Sequence, residues 1–578
     1  MRTIFSKPGE ERLSKRRILL LAFATILIFA FVAPITMALP TSLPSMEVKV
    51  KGNFPEGQWS RVIIHLREKA TIEKAKVLDQ LPYFKLGYAV DGEPYIFNIG
   101  NFHAIAGEIY VPSGIETLVS SYYQMVSAIV KEQEFHVTLD TSVDYIKAKQ
   151  VWNFGYKGAG EVIAIIDTGI DANHMDLDEG KVIAWKDWIN NNPSPYDDHG
   201  HGTHCASTAA GTGEASGGLY TGVAPEASLI GLKVLNSAGS GTEADIIAAV
   251  QWCVDNKDVY GIDVISMSLG ASRDDDGTCS LCQAVDNAWD AGLFVAVAAG
   301  NDGPGRNTIG CPGNAWKVMT VGAIDDSTGS IASFSSRGPT IDTRLDPDIC
   351  APGVSITAAK AGTTNQYTTM SGTSMATPHI AGAAALLIDA KGGSVSPNLV
   401  RGAMISTAVD QGDAGPDIVY GWGIIDVQAA YNWILNPPSA DVKAAKISFD
   451  AEVSTGGQTD VSVQLWSVGT GSAYSVYIDD TLPSGFTLVS GQLDVSVGTM
   501  ASGGIFKNTY RIEAPSSTGT YYLGKAYITW SGGETYTNDV RLDVTSGGGS
   551  CLGTILLAVV PAVTFLTVEV RKRRRKRK

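Results

Sequence analysis

Between residues 150 and 436 the chain alternates short, almost unbroken apolar runs with longer segments whose apolar positions recur at helical spacing. The runs Glu161 to Asp167, Ser228 to Val234, Asp263 to Ser268 and Leu293 to Ala298 are the clearest. Strands covered on both faces read this way, whereas half-solvated strands alternate apolar with polar residues. The pattern predicts an α/β domain with a parallel sheet and helices on each side, three layers in all. Ahead of it, Arg61 to Leu66, Ala104 to Tyr110 and Glu134 to Leu139 read as strands. Thr71 to Leu78 and Ile115 to Val130 read as helices, and together these predict a small α+β unit. Behind it, residues from about 440 to 545 are rich in Thr, Ser, Val, Tyr and Gly. Their period-two stretches, such as Asp460 to Trp466 and Tyr521 to Trp530, predict a β-sandwich.

Both ends of the chain depart from these patterns. Ile18 to Ala38 is apolar and follows Lys15-Arg16-Arg17, the layout of a signal peptide or a signal anchor. Leu552 to Val568 is a second apolar run, placed between a Gly/Ser linker and eight consecutive basic residues, Arg571 to Lys578. It reads as a stop-transfer helix, and basic flanks at both ends put both tails in the cytoplasm with everything between them exported. The expected layout is therefore 1–38 leader, 39–142 α+β unit, 143–436 α/β domain and 440–545 β-sandwich. Residues 546–551 follow as linker, 552–570 as membrane helix and 571–578 as basic tail.

Charge sharpens this picture. The whole chain has 44 Lys and Arg against 59 Asp and Glu, a net charge of -15. Six of those basic residues lie in the first 17 positions and eight in the last eight, leaving 30 in the body. Only Glu10 and Glu11 of the acidic set lie in the tails, so the body carries 57 acidic residues and about -27. A body that acidic repels polyphosphate and excludes nucleic acid as a partner. In an exported protein the seven cysteines are in a setting where disulfides persist. Cys279 and Cys282 lie close in sequence, and Cys311 is able to approach either. Cys205, Cys253 and Cys350 sit in apolar contexts as small buried hydrophobes. No second Cys-x-x-Cys or His pair completes a zinc site.

Candidate chemistry rests on three short motifs: Ile166-Asp167-Thr168-Gly169, Gly200-His201-Gly202-Thr203-His204, and Ser371-Gly372-Thr373-Ser374-Met375-Ala376-Thr377-Pro378. Singly, each has an ordinary structural reading as a strand end, a turn or a helix start. Jointly, in the order Asp, His, Ser, they match one of the known chain orders of a nucleophilic triad. With Ala224-Pro225, Lys233-Val234-Leu235, Met267-Ser268-Leu269-Gly270, Ala299-Gly300-Asn301-Asp302 and Phe334 to Pro339, the region from about 150 to 436 resembles the subtilisin-like serine proteases over its whole length. In texture it is most like the secreted subtilases of hyperthermophilic archaea.

That resemblance implies a peptide hydrolase in which Ser374 attacks, His201 takes its proton and Asp167 orients the imidazole. Asn301 and the Ser374 backbone N–H would hold the oxyanion. It also implies that Ser268, Leu269, Gly270, Ala298, Ala299 and Gly300 wall the pocket for the residue before the scissile bond, with Gly310 at its base. Uncharged glycine there predicts tolerance of large apolar side chains. Gly239, Ser240 and Gly241 would pair with extended substrate as an added strand. His174, His199, His204 and His379 are left outside the catalytic set. The α+β unit resembles the family's propeptide, an intramolecular inhibitor removed between roughly 135 and 150. No cofactor is implied for the chemistry. Structural calcium fits oxygen-rich loops such as Asp274-Asp275-Asp276-Gly277 in general, without assigned ligands, and the family's usual calcium loop is replaced by Gly211 to Gly218.

Protein or peptide substrates, the chain's own propeptide and the membrane are the expected partners. Cys551, beside the last apolar run, also resembles a lipid-anchor signal. The competing readings are a dedicated envelope-processing protease and a surface scaffold with an inactive protease domain. Retention of all four site residues favours an active enzyme.

Overall fold

The computed structural model describes residues 141–271 and 275–546, and ahead of them 49–51, 59–79, 84–86, 96–99, 102–110 and 126–131. The chain divides into two compact units, before and after the bond between His136 and Val137.

In the first unit, strand Trp59–Leu66 pairs antiparallel with Phe102–Tyr110 on one side and Val126–Lys131 on the other. Helix Ile72–Asp79 buries Ala75 and Leu78 in a core with Val62, Ile64, Phe84, Ile105 and Ile109. The expected helix from Ile115 to Val130 is corrected at its end, because Val126–Lys131 is a strand. A short apolar run has no decisive period of its own, and here two neighbouring strands, Trp59–Leu66 and Lys49–Lys51, take its backbone hydrogen bonds. Residues 111–125 and the expected strand Glu134 to Leu139 lie outside the described residues.

The second unit is built on an eight-stranded sheet. Its order runs Ser330–Ile331, Met319–Asp325, Phe294–Ala298, Ile262–Met267, Val162–Asp167, Ser228–Lys233 and Val182–Asp187, with Ile349–Pro352 also paired to Met319–Asp325. All pairings are parallel except that of Ser330–Ile331. Helices His201–Ala210 and Thr373–Lys391 pack together on one face, and Glu243–Tyr260 and Ser280–Asp290 cover the other. Strand Val162–Asp167 is buried at every residue, which explains its unbroken apolar run. From that strand the chain passes to the edge strand Val182–Asp187, returns to Ser228–Lys233 between the two, and then crosses to Ile262–Met267 on the other side. Ligand crevices form at such a switch, beyond the carboxyl ends of the strands. Asp167, Ser268 and Ala298 all lie there.

Residues 442–545 form two four-stranded sheets and a three-stranded one around Val461, Val463, Leu465, Ile478, Tyr510 and Ile528. A buried ion pair, Lys446 Nζ to Asp480 Oδ1 at 2.6 Å, sits in this β-rich domain, with Tyr510 Oη donating to Asp480 Oδ2. The domain is bonded to the α/β layer: Gln464 Oε1 accepts from the Leu345 N–H at 2.8 Å, Ser462 donates to the Thr343 carbonyl, and Trp466 meets Trp422 edge-on.

Among the described residues no helix is long and apolar enough to cross a membrane. The apolar runs at 18–38 and 552–570, Cys551 and the basic tail lie outside the described residues, as does Asp274.

Candidate active site

The first strand, Val162–Asp167, ends by delivering a fully buried carboxylate. Asp167 Oδ1 lies 2.8 Å from His201 Nδ1 and also accepts the Thr168 N–H at 2.7 Å. His201 is the first residue of helix His201–Ala210, and that helix must come very close to the strand end. A Cβ on Gly202 would lie 2.2 Å from the Gly169 carbonyl oxygen and 3.1 Å from Asp167 Cβ, so only glycine permits the approach.

Asp197 fixes the helix start. Its Oδ1 accepts from Thr168 Oγ1 and from the N–H groups of His199 and Gly200, and its Oδ2 accepts from the Thr203 N–H and hydroxyl. A carboxylate at a helix N-terminus also meets the positive end of the helix dipole. Thr168 Oγ1 in turn accepts the Gly202 N–H at 2.8 Å. The fully buried Lys233 completes the frame, with its ammonium donating to Asp198 Oδ1 and to the Thr168 and Leu235 carbonyls. Sequence reasoning missed Asp197 and the Lys233 ammonium, although both lie within or beside the quoted motifs.

Burial opposes the imidazolium of His201. The Asp167 carboxylate, through its charge and its hydrogen bond, raises the His201 pKa well above the ordinary histidine value. Burial pushes the Cys205 thiol upward, so it is neutral. Three of the four excluded histidines are occupied by the fold: His204 Nε2 meets the Ile356 carbonyl, His174 Nε2 the Gln366 carbonyl, and His379 both Met375 O and Ser142 Oγ, while His199 lines the cleft. Burial lowers His204 and His379 to about 4, which keeps both neutral.

Ser374 is the second residue of helix Thr373–Lys391. Pro378, four residues on, has no N–H to give to the Ser374 carbonyl. That carbonyl instead accepts from Ser268 Oγ at 2.8 Å and Cys205 Sγ at 3.4 Å. Ser374 Oγ donates back to the Ser268 carbonyl at 3.1 Å, so the two serines tie the start of that helix to the end of strand Ile262–Met267. Asn301 Oδ1 accepts from the Thr373 N–H and hydroxyl, at 2.9 and 3.1 Å. Its amide orientation is therefore fixed, and Nδ2 is left as a donor. Nδ2 and the Ser374 N–H border the same space, each 3.6 Å from the point where a Cβ of Gly372 would stand.

Two cavities meet here. One, of about 340 Å³, is lined by Ser268, Leu269, Gly270, Ala298, Ala299, Gly300 and Gly310 together with Asn301 and Ser374. Ala271, Asp302 and Thr373 complete its lining. The other, of about 600 Å³, runs past His201 along Gly239, Ser240 and Gly241, over an apolar floor of Leu235, Ile246 and Leu281 that the motifs did not signal. Asp176 Oδ1 accepts the Ala215 N–H and Oδ2 the Tyr367 hydroxyl.

A serine at a helix start and a histidine bonded to a buried carboxylate, gathered at the switch point of a parallel sheet, fit the class of serine hydrolases. Comparison with known proteins gives the family. The pattern described as Peptidase_S8, the Subtilase family, matches residues 158–423. Serine protease AprX of Bacillus subtilis is 42% identical over 344 residues, 55% of this chain and 76% of its own. Subtilisin DY of Bacillus licheniformis is 43% identical over 295 residues, 51% of this chain and 98% of its own. A solved cold adapted subtilisin-like serine proteinase overlaps 47% of this chain and 88% of its own at 31% identity, with a TM-score of 0.39. At 42% identity across three quarters of AprX, the chain belongs to the subtilase family and is a subtilisin-like serine endopeptidase.

Proposed function

We propose that Asp167, His201 and Ser374 are the catalytic triad of this endopeptidase, with Asn301 Nδ2 and the Ser374 N–H as its oxyanion donors. The observation that carries this reading is the 2.8 Å bond between His201 Nδ1 and Asp167, whose imidazole stands on a cleft that runs into the cavity bordered by Ser374 and Asn301. With Nδ1–H committed to Asp167, Nε2 is the basic nitrogen. Ser374 Oγ leaves the Ser268 carbonyl, gives its proton to Nε2 and attacks the peptide carbonyl. The oxyanion settles between Asn301 Nδ2 and the Ser374 N–H, and Asp167 stabilises the imidazolium. The imidazolium then protonates the leaving amine, and water resolves the acyl-enzyme by the same path.

Extended substrate adds as a strand along Gly239, Ser240 and Gly241, and the residue before the scissile bond enters the 340 Å³ cavity. Leu269, Ala298 and Ala299 favour large apolar side chains there. Strict selection of Arg or Lys from a peptide panel would overturn that preference and point to Asp302 as its cause.

The α+β unit acts as the propeptide. Ser142 and Val143 are each 1% exposed, and Ser142 Oγ bonds His379 Nε2 at 2.8 Å. Burial this deep supports a maturation cut before Ser142, within the 135–150 window. Ser374→Ala should leave the propeptide attached, while N-terminal sequencing of the wild type should find a start between 137 and 142. Normal processing of the variant would assign the cut to another protease. The terminal apolar run and basic octet hold the enzyme at the membrane with the catalytic domain outside. Mass spectrometry of the mature C-terminus separates a retained helix from a lipid on Cys551.

A further inference from the structure

Three sulfur atoms meet beside the cleft. Cys279 Sγ lies 2.6 Å from Cys311 Sγ and 3.0 Å from Cys282 Sγ, and Cys282 Sγ lies 3.7 Å from Cys311 Sγ. Cys279 caps helix Ser280–Asp290, its sulfur accepting the Cys282 N–H. The Cys311 backbone exchanges two hydrogen bonds with Ala271, at 2.9 and 3.1 Å. Ala271 lines both cavities, Cys311 lines the longer one and Gly310 lines the pocket. A covalent link at Cys311 therefore acts on the wall that receives substrate.

Two chemistries suit clustered thiols. A tetrahedral zinc ion with bonds of about 2.3 Å needs sulfurs roughly 3.8 Å apart. Only the Cys282–Cys311 edge has that spacing, and the two edges at Cys279 are much shorter. A disulfide needs one pair at about 2.05 Å, and Cys279 with Cys311 is nearest to that.

We propose that Cys279, Cys282 and Cys311 form a thiol–disulfide exchange site in the cleft wall, with Cys279–Cys311 as the resting bond and Cys282 as the internal thiol. The functional consequence rests on the cleft being the substrate site. The resting bond forms by exchange with an external disulfide of a small thiol. The Cys279 thiolate attacks it and releases one thiol, then Cys311 attacks the mixed disulfide and releases the second. Two electrons and two protons pass from the cysteine pair to the external molecule. In the internal step the Cys282 thiolate attacks Cys279 Sγ, the bond to Cys311 breaks, and Cys311 leaves as a thiolate that takes up the proton lost by Cys282. The pairing moves to Cys279–Cys282, and Cys311 is left as a thiol on the cleft. Only the Cys282 thiolate attacks, and its sulfur is fully buried, so this step speeds as pH rises.

The test is alkylation of the purified, matured protein with N-ethylmaleimide without reductant, followed by peptide mapping. At neutral pH the expected result is a Cys279–Cys311 bond with Cys282 alkylated. After alkaline incubation a fraction should show Cys279–Cys282 with Cys311 alkylated. Cys282→Ser should keep the Cys279–Cys311 bond at every pH and retain wild-type activity. Alkylation of all three cysteines without reductant overturns the proposal, as does one equivalent of zinc released on alkylation. Dithiothreitol should raise KM for a peptide substrate severalfold in the wild type and leave Cys279→Ser unresponsive. An unchanged KM with the bond broken removes the effect on the cleft wall. The mapped bond in a protein without peptidase activity would instead refute the catalytic reading and leave the exchange site standing.

Discussion

Replacing Gly202 with alanine tests whether the approach of helix to strand is what holds the catalytic pair together. The added Cβ would stand 2.2 Å from the Gly169 carbonyl oxygen and 3.0 Å from the Gly169 nitrogen, both backbone atoms that cannot rotate away. The closest ordinary contact is about 3.4 Å, so helix His201–Ala210 or the Gly169 turn must retreat by about 1.2 Å. His201 is the neighbouring residue, and a shift of that size breaks its 2.8 Å bond to Asp167. Misplacing a catalytic group by about 1 Å costs on the order of 100-fold in rate, roughly 2.7 kcal/mol of barrier. Overpacking costs the fold ~1–3 kcal/mol, less than the total stability of an ordinary domain, so the protein should still fold. The assay is kcat/KM on a chromogenic peptide, beside a thermal melt. Gly532→Ala is the control, because the nearest atom to its Cβ is 3.8 Å away in the β-rich domain. A Gly202→Ala enzyme within about threefold of wild type would refute the argument, since so small a change is inconsistent with a displacement near 1 Å.

If Asn301 is an oxyanion donor as proposed, Asn301→Ala should lower kcat by about 100- to 1,000-fold with little change in KM, because that amide would meet charge that develops only in the transition state. Steady-state kinetics on one peptide decide it. With His201 as the proposed base, activity should climb with pH along a limb above 6.5, since the neutral imidazole is needed and its pKa is raised. Stability has the opposite sign: the protonated pair contributes fully below the unfolded pKa and loses that contribution as pH rises through the folded one, which melts at stepped pH will register. Lys446→Met strands Asp480 in the β-rich domain and should cost roughly 3–5 kcal/mol, read as a fall in Tm.

Much of the α/β fold was legible because strands buried on both faces write themselves as unbroken apolar runs, as Val162–Asp167 does. The β-rich domain was legible for the opposite reason, yet its contact with the protease was not. Strand Gln458–Ser467 alternates Val461, Val463 and Leu465 with Ser462, Gln464 and Trp466, which predicts one wet face. In the structure both faces are buried, the second against Thr343, Leu345 and Trp422. The candidate site residues stand in short motifs, but the bonds that aim them join distant segments. Asp197 reaches Thr168, Ser268 and Cys205 hold the carbonyl freed by Pro378, and no local spacing announces either contact. The error at Val126–Lys131 has the same origin, since partners far along the chain chose the strand.

The central claim is that Ser374 is the nucleophile, activated by His201. Its most direct measurement is labelling of the purified, matured protein with a fluorophosphonate, followed by mapping of the adduct. The account predicts one phosphonylated residue, Ser374, with the adduct lost in Ser374→Ala and strongly reduced in His201→Ala. An adduct on a different serine, or a folded wild-type protein that takes no label, would contradict it.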